Sequence, residues 1–120
     1  MILDRLMRLF NAKPRCNVPR SPLWPEVRKK WLAYHGSCAV CGRKTKLQVH
    51  HIIPFHVDPS KELDTTNLIT LCEGNSDINC HYVFGHFMDW MASNPTVRED
   101  AFKYLFSKAH AVPYKVIFNG

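Results

Sequence analysis

The sequence predicts a small α+β domain assembled around bound metal. Four of its five cysteines fall in two pairs, Cys38 with Cys41 and Cys72 with Cys80. Between the pairs lies LQVHHII (47–53), whose alternation suits a strand, while apolar residues recur at helical spacing over 21–35 and 96–109. At 120 residues, with 46% hydrophobic and 12% aromatic content, the chain suits one modest core that a structural metal would reinforce. We read residues 1–20 as an N-terminal helix and basic linker, and 21–120 as a single domain with its motif core at 38–91.

Within 1–10, Ile2, Leu3, Leu6, Met7 and Phe10 share one helical face. Asp4, Arg5 and Arg8 interrupt any signal-peptide core, and no apolar run reaches the eighteen or so residues of a membrane span. A reducing cytoplasm is therefore expected, with no membrane partner and with paired cysteines holding metal. Residues 11–20, with two prolines and Cys16, read as an extended linker. The net charge of +6 is uneven: residues 1–46 carry +9 and 47–120 carry −3. Such a basic half suits a polyphosphate partner, or serves solubility alone.

Ser21 is placed to cap a helix with Pro22 and Pro25 in its first turn and Gly36 at its end. Trp24, Val27, Trp31 and Tyr34 share one face, read as core, and the basic triplet Arg28, Lys29 and Lys30 is set for phosphate contact. A basic turn, Gly42 to Lys46, links the first cysteine pair to the strand as a hairpin signal. Pro54 closes that strand and Asp58-Pro59 marks a turn. NLITL (67–71) is short and apolar, and 81–91 has helical character. Asn94-Pro95-Thr96 breaks that helix and starts the next, with Thr96 and Glu99 at capping-box spacing and Ala101, Phe102, Leu105, Phe106 and Ala109 as the buried stripe. The tail VPYKVIF is a short strand or an extended segment.

Cys38-Ala-Val-Cys41-Gly is a knuckle that lets two thiolates reach one tetrahedral ion, and Cys72 and Cys80 would complete a closed zinc site. Two disulfides or four buried thiols are the alternative. His50 and His51 point to opposite faces of a strand, so one imidazole can hold a metal while the other takes a proton from water.

The ordered set CAVCG, VHHIIP, NLITLC and CHYVFGH, over roughly 38–86, resembles the HNH endonuclease family, and SPLWPEVRKKWLAYHGSC is similar to the basic lead-in helix of its small phage and bacterial members. The resemblance implies a ββα-metal core with a structural zinc knuckle, flanked by an N-terminal basic helix and C-terminal helices. It implies a metal-dependent DNA endonuclease leaving 5′-phosphate and 3′-hydroxyl ends. His50 matches the first metal ligand, His51 the general base, Asn67 the residue that braces the loop and orients that base, and His81 the second ligand. His86 resembles a further ligand found in some members. The usual spacing is four residues, about 40° around a helix, whereas five put His81 and His86 about 140° apart. Either the backbone is irregular around Gly85 or only one of the two binds.

Magnesium, manganese, nickel and zinc all fit an imidazole site on this reading. Arg28, Lys29, Lys30, Arg43, Lys44 and Lys46 are the expected DNA contacts, and His56 reads as a solvated loop histidine, with phosphate contact as the alternative. His35 and His110 suit helix C-termini. A phage or prophage setting, beside a packaging or other nucleic-acid-processing partner, is the expected context. The competing reading is a non-catalytic zinc-knuckle module that binds nucleic acid.

Overall fold

A computed structural model describes residues 17–74 and 79–109. The expected helix over 1–10, Cys16, His110 and the VPYKVIF tail lie outside the described residues.

Helix α1 runs Trp24–Tyr34, with Pro25 in the first turn, where a missing N–H costs nothing. It starts later than Ser21 capping would require. Leu23 is the N-cap, and the Ser21 hydroxyl accepts from Leu23 N (3.2 Å) in a turn just before it. His35, not Gly36, is the C-cap, its N–H donating to Trp31 O at 2.8 Å. The aromatic face is not a core face either, since no α1 residue is buried and Tyr34 is 87% exposed. Its tryptophans dock by their edges and rings. Trp31 Nε1 donates to Thr70 Oγ1 (2.9 Å), that hydroxyl donates to His35 O (2.8 Å), and Trp24 packs on His51.

Strands β1 (Leu47–His51) and β2 (Leu68–Cys72) pair antiparallel, with His50 opposite Ile69 and His51 opposite Leu68. The partner of β1 is thus NLITLC across a long loop, not the knuckle as a tight hairpin. Loop 52–67 holds two 3-10 turns, Pro59–Lys61 and Thr65–Asn67, opened by Asp58 and Asp64, whose carboxylates accept from Ser60 N (3.1 Å) and Thr66 N (2.9 Å). Every residue of β2 is buried, and its second edge is occupied: Ala39 N donates to Thr70 O (2.9 Å), and the Arg98 guanidinium donates to Thr66 O (2.8 Å) and Leu68 O (3.2 Å). Buried strand carbonyls need such partners.

Residues His81–Gly85 wind as a π-helix rather than an α-helix. Helix α2 spans Val97–Ala109. Asn94 performs the stop-and-start at its head. It is 1% exposed, its Oδ1 accepts from Thr96 N (3.0 Å), and its Nδ2 donates to Phe84 O (2.9 Å) and Asp100 Oδ2 (2.8 Å). Thr96 also bonds Asp100 (3.3 Å), which takes the place expected for Glu99. The inner stripe of α2 is Val97, Ala101 and Tyr104, while Phe102, Leu105 and Phe106 are exposed. The expected stripe kept Ala101 but was turned around the axis, because Arg98 is drawn to the β2 edge.

The core is Cys38, Val40, Ile69, Leu71, Cys72, Cys80, Val97 and Ala101, so sulfurs sit among its central side chains. All four paired cysteines are free thiols whose Sγ atoms lie within 4.8 Å of one another. Cys41 and Cys72 sulfurs are 3.6 Å apart, too far for a disulfide and close to the roughly 3.8 Å expected of two thiolates on arms of about 2.3 Å at a tetrahedral zinc. Val40 N donates to Cys38 Sγ at 3.4 Å, the backbone support a knuckle supplies. The Cys38 thiol is held far down, to about 4, by the Cys80 hydrogen bond and then by backbone N–H groups, whereas Cys80 beside it is pushed up. Four crowded sulfurs cannot all ionise without a cation, and this cluster fits a structural zinc. Cys72→Ser is expected to remove bound zinc and, since a structural zinc contributes on the order of 10 kcal/mol to folding, to abolish the cooperative melt. Metal analysis and circular dichroism check both outcomes.

Candidate active site

Strand β1 carries His50 inward, 4% exposed, against the π-helical segment. There Gly85 leaves the necessary room: a Cβ on it would meet the His50 ring at 3.1–3.3 Å. His81 opens the π-helix and His86 caps it. The i→i+5 winding has roughly four and a half residues per turn, so five residues return to nearly the same face. The spacing that a regular helix would have defeated is the one this helix needs. Phe87 and Met88 follow with φ of 54° and 61°, a left-handed pair that reverses the chain. Met88 N on Tyr82 O (2.9 Å) holds the reversal and returns Ala92 to His86.

The three imidazoles form a triangle with ring centroids 4.8–4.9 Å apart. His81 Nε2 lies 3.0 Å from His50 Nδ1 and 3.2 Å from His86 Nε2. Two nitrogens each about 2.05 Å from one ion stand about 2.9 Å apart at a right angle and about 3.3 Å apart at the tetrahedral angle, and the observed pair falls within that range. The tautomers agree. His86 Nδ1 donates to Ala92 O (2.8 Å), so its Nε2 carries a lone pair, and His81 Nδ1 faces the Glu73 carboxylate at 3.6 Å, which favours the same form. Lone pairs facing each other at 3.2 Å repel unless a cation lies between them. Burial, and then its neighbours His81, His86 and His51, push His50 down to about 2, so this ring stays neutral as a ligand must. The donor set therefore fits a divalent metal. Trp90 backs it, with ring centroids 5.3 Å from His81 and 4.8 Å from His86.

His51 turns to the other side of the strand yet lines the same open cleft, of about 520 Å³, as His50, His81 and His86. Its Nε2 donates to Glu62 O at 2.8 Å, which leaves Nδ1 as the basic nitrogen. Its pKa is lowered, chiefly by burial and further by Arg20, against the Glu62 carbonyl, which raises it. Asn67, 5% exposed, bonds the loop backbone. Its Oδ1 accepts from Ile53 N (2.7 Å), and its Nδ2 donates to Ile53 O (3.0 Å) and Lys61 O (3.3 Å). It clips both ends of the loop together, and the atom that orients His51 is the carbonyl this loop presents.

None of Arg28, Lys29, Lys30, Arg43, Lys44 or Lys46 lines the cleft, whereas His56 and Arg20 do. Arg20, Glu62, Glu73 and Trp90 were missed by sequence reasoning, whereas the five-residue histidine spacing pointed to an irregular backbone around Gly85.

Residues 38–82 match the family model described as HNH endonuclease. Over that stretch the chain is similar to HNH endonucleases. The match spans the cysteine knuckle, both histidines of β1, Asn67, β2 and His81, and it stops before His86. No curated protein and no solved structure matches the chain. The match and the four-sulfur cluster together fit a small α+β domain with a structural zinc.

Gly85→Ala is expected to push His50 out of the triangle. Stability should fall by about 1–3 kcal/mol and nickel affinity at the histidines about tenfold or more, with structural zinc retained. Calorimetric titration and thermal melts check this.

Proposed function

We propose that this protein is a metal-dependent DNA endonuclease in which His50, His81 and His86 hold one divalent ion and His51 is the general base. The observation that carries the reading is the convergence of three imidazole nitrogens at metal-ligand spacing, with a fourth, differently oriented imidazole in the same cleft. Similarity of residues 38–82 to HNH endonucleases supports the reaction class.

A bound divalent ion would offset the charge of a phosphodiester and stabilise the departing oxygen. The protein does the rest. His51, neutral and fixed through Nε2 by the Glu62 carbonyl, takes a proton on Nδ1 from a water aimed at phosphorus. The water oxygen bonds to phosphorus as the bond from phosphorus to the 3′ oxygen breaks. That oxygen takes up a proton, and the ends carry 5′-phosphate and 3′-hydroxyl. Asn67 acts as a brace, keeping the loop that presents Glu62 in register with β1. Arg28, Lys29, Lys30, Arg43, Lys44 and Lys46, outside the cleft, are suited to the flanking duplex, where they would contribute sequence-independent affinity.

Three neutral nitrogen donors without a carboxylate favour a borderline transition ion over magnesium, which prefers oxygen ligands. Titration of the zinc-loaded protein should show nickel bound more tightly than manganese and manganese more tightly than magnesium. Incubation of a supercoiled plasmid with the purified protein and a panel of divalent ions tests the activity. Nicking or linearisation is expected, and intact plasmid with every ion would overturn the reading. His51→Ala should bind DNA as wild type and cleave about 10²- to 10⁴-fold more slowly. A wild-type rate in that variant would remove His51 from its role.

A further inference from the structure

We propose that Arg20 binds the scissile phosphate in the cleft lined by the three histidines, an inference that rests on the nuclease reading above. Arg20 lies outside the stretch that matches the family model, in a segment that reads from sequence as linker. It lines the same cleft as His50, His51 and His81. Among the described residues of that lining it is the single permanently charged side chain; the others are imidazoles, an asparagine and apolar groups. Among the described residues Arg20 is thus the fixed cation that a phosphodiester entering this cleft would meet, and Arg28, Lys29, Lys30, Arg43, Lys44 and Lys46 do not line it.

The guanidinium is held in place for this role. Its Cζ lies 4.1 Å from the centroid of the Phe55 ring, and one Nη sits 3.4 Å from Glu62 Oε2. Glu62 is itself buried, with its other carboxylate oxygen accepting from Ser21 N at 2.8 Å. An aromatic platform on one face and a buried carboxylate at one edge fix the plane of a group that has five N–H donors. One donor is engaged by Glu62, and the Arg20 side chain is 56% exposed, so the remaining edge is open to an anion. A fork fixed before substrate arrives binds a phosphate with little reorganisation, and its hydrogen bonds strengthen as charge accumulates on the oxygens during attack. Glu62 joins this group to the base. Its carboxylate aims Arg20 while its carbonyl aims His51, so one residue sets the separation between the phosphate contact and the proton acceptor.

The alternative is a tether, in which Arg20 merely ties residues 17–21 to loop 52–67. The test uses the full-length, zinc-loaded protein as wild type, Arg20→Ala, Arg20→Lys and Glu62→Gln. Single-turnover cleavage of a plasmid with nickel or manganese is measured at saturating protein, alongside duplex affinity without added divalent ion and nickel affinity by calorimetry. Arg20→Ala should lose about 10²- to 10³-fold in the saturated rate, the scale of one lost transition-state donor. It should keep wild-type nickel affinity and lose little duplex affinity. Arg20→Lys should recover part of the rate, guanidinium at tens of millimolar should restore part of it to Arg20→Ala, and Glu62→Gln, which keeps an acceptor for Ser21, should lose less.

A saturated rate in Arg20→Ala within about threefold of wild type would overturn the proposal, as would a defect confined to affinity. Equal losses in Arg20→Ala and Glu62→Gln that guanidinium does not repair would identify a tether. Failure of the wild type to cleave with any ion is a separate result, which removes the nuclease reading and this inference with it.

Discussion

The four-sulfur cluster is the constraint on which the remaining structure depends. Among the described residues the buried cluster holds eight side chains, three of them cysteines, so sulfurs occupy much of the place where the knuckle, β2 and the π-helical segment meet. A zinc ion would join all three at one point. Because Cys80 immediately precedes His81, the same joint sets where the π-helix starts and hence where two of the three inward imidazoles fall. Scaffold and candidate metal centre are thus coupled through a single peptide bond, and a disturbance of the sulfurs is transmitted to the histidines without passing through the core.

The π-helix is the second constraint. An α-helical turn would have turned His86 away from His81, and its absence shapes everything downstream. Gly85 must lack a side chain so that the segment can approach His50, and the chain must reverse through two left-handed residues so that Ala92 can hold the His86 ring. Phe87 and Met88 are poor residues for that backbone, and positive φ in bulky side chains is sustained only where the surroundings impose it. Here the imposing contacts are the bonds between Met88 and Tyr82 and the two bonds from Asn94 that close the segment against α2. Strain beside a candidate metal centre is consistent with geometry held for ligation.

Helix α1 and the segment before it, both outside the family-matched stretch, also brace the site. Ser21 and Arg20 attach to the buried Glu62 carboxylate, Trp24 covers His51, and Trp31 ties α1 to Thr70. Each contact reaches a residue of β1, β2 or the loop between them. The lead-in therefore shields one side of His51, and that burial lowers its pKa.

What the sequence determined by itself was a set of local patterns and their order along the chain: the knuckle, the histidine pair, the apolar β2 and the breaks at Pro54 and Asn94 were all legible, because each is a local pattern whose meaning depends on few neighbours. The inner face of α2 was not, since the preference of Arg98 for a strand edge rotates the helix and no periodicity encodes a distant carbonyl. Nor was the late start of α1, where Ser21 donates its N–H to Glu62, forty-one positions away, instead of capping the helix. Two alternatives that the residues left open were decided only by the tertiary structure. The cysteines meet as four sulfurs rather than as two disulfides, because β2 brings Cys72 to the knuckle. His86 joins His50 and His81 because packing against His50 draws the backbone around Gly85 into the wider winding, and spacing in a sequence counts residues whereas only a folded backbone fixes the angle between them.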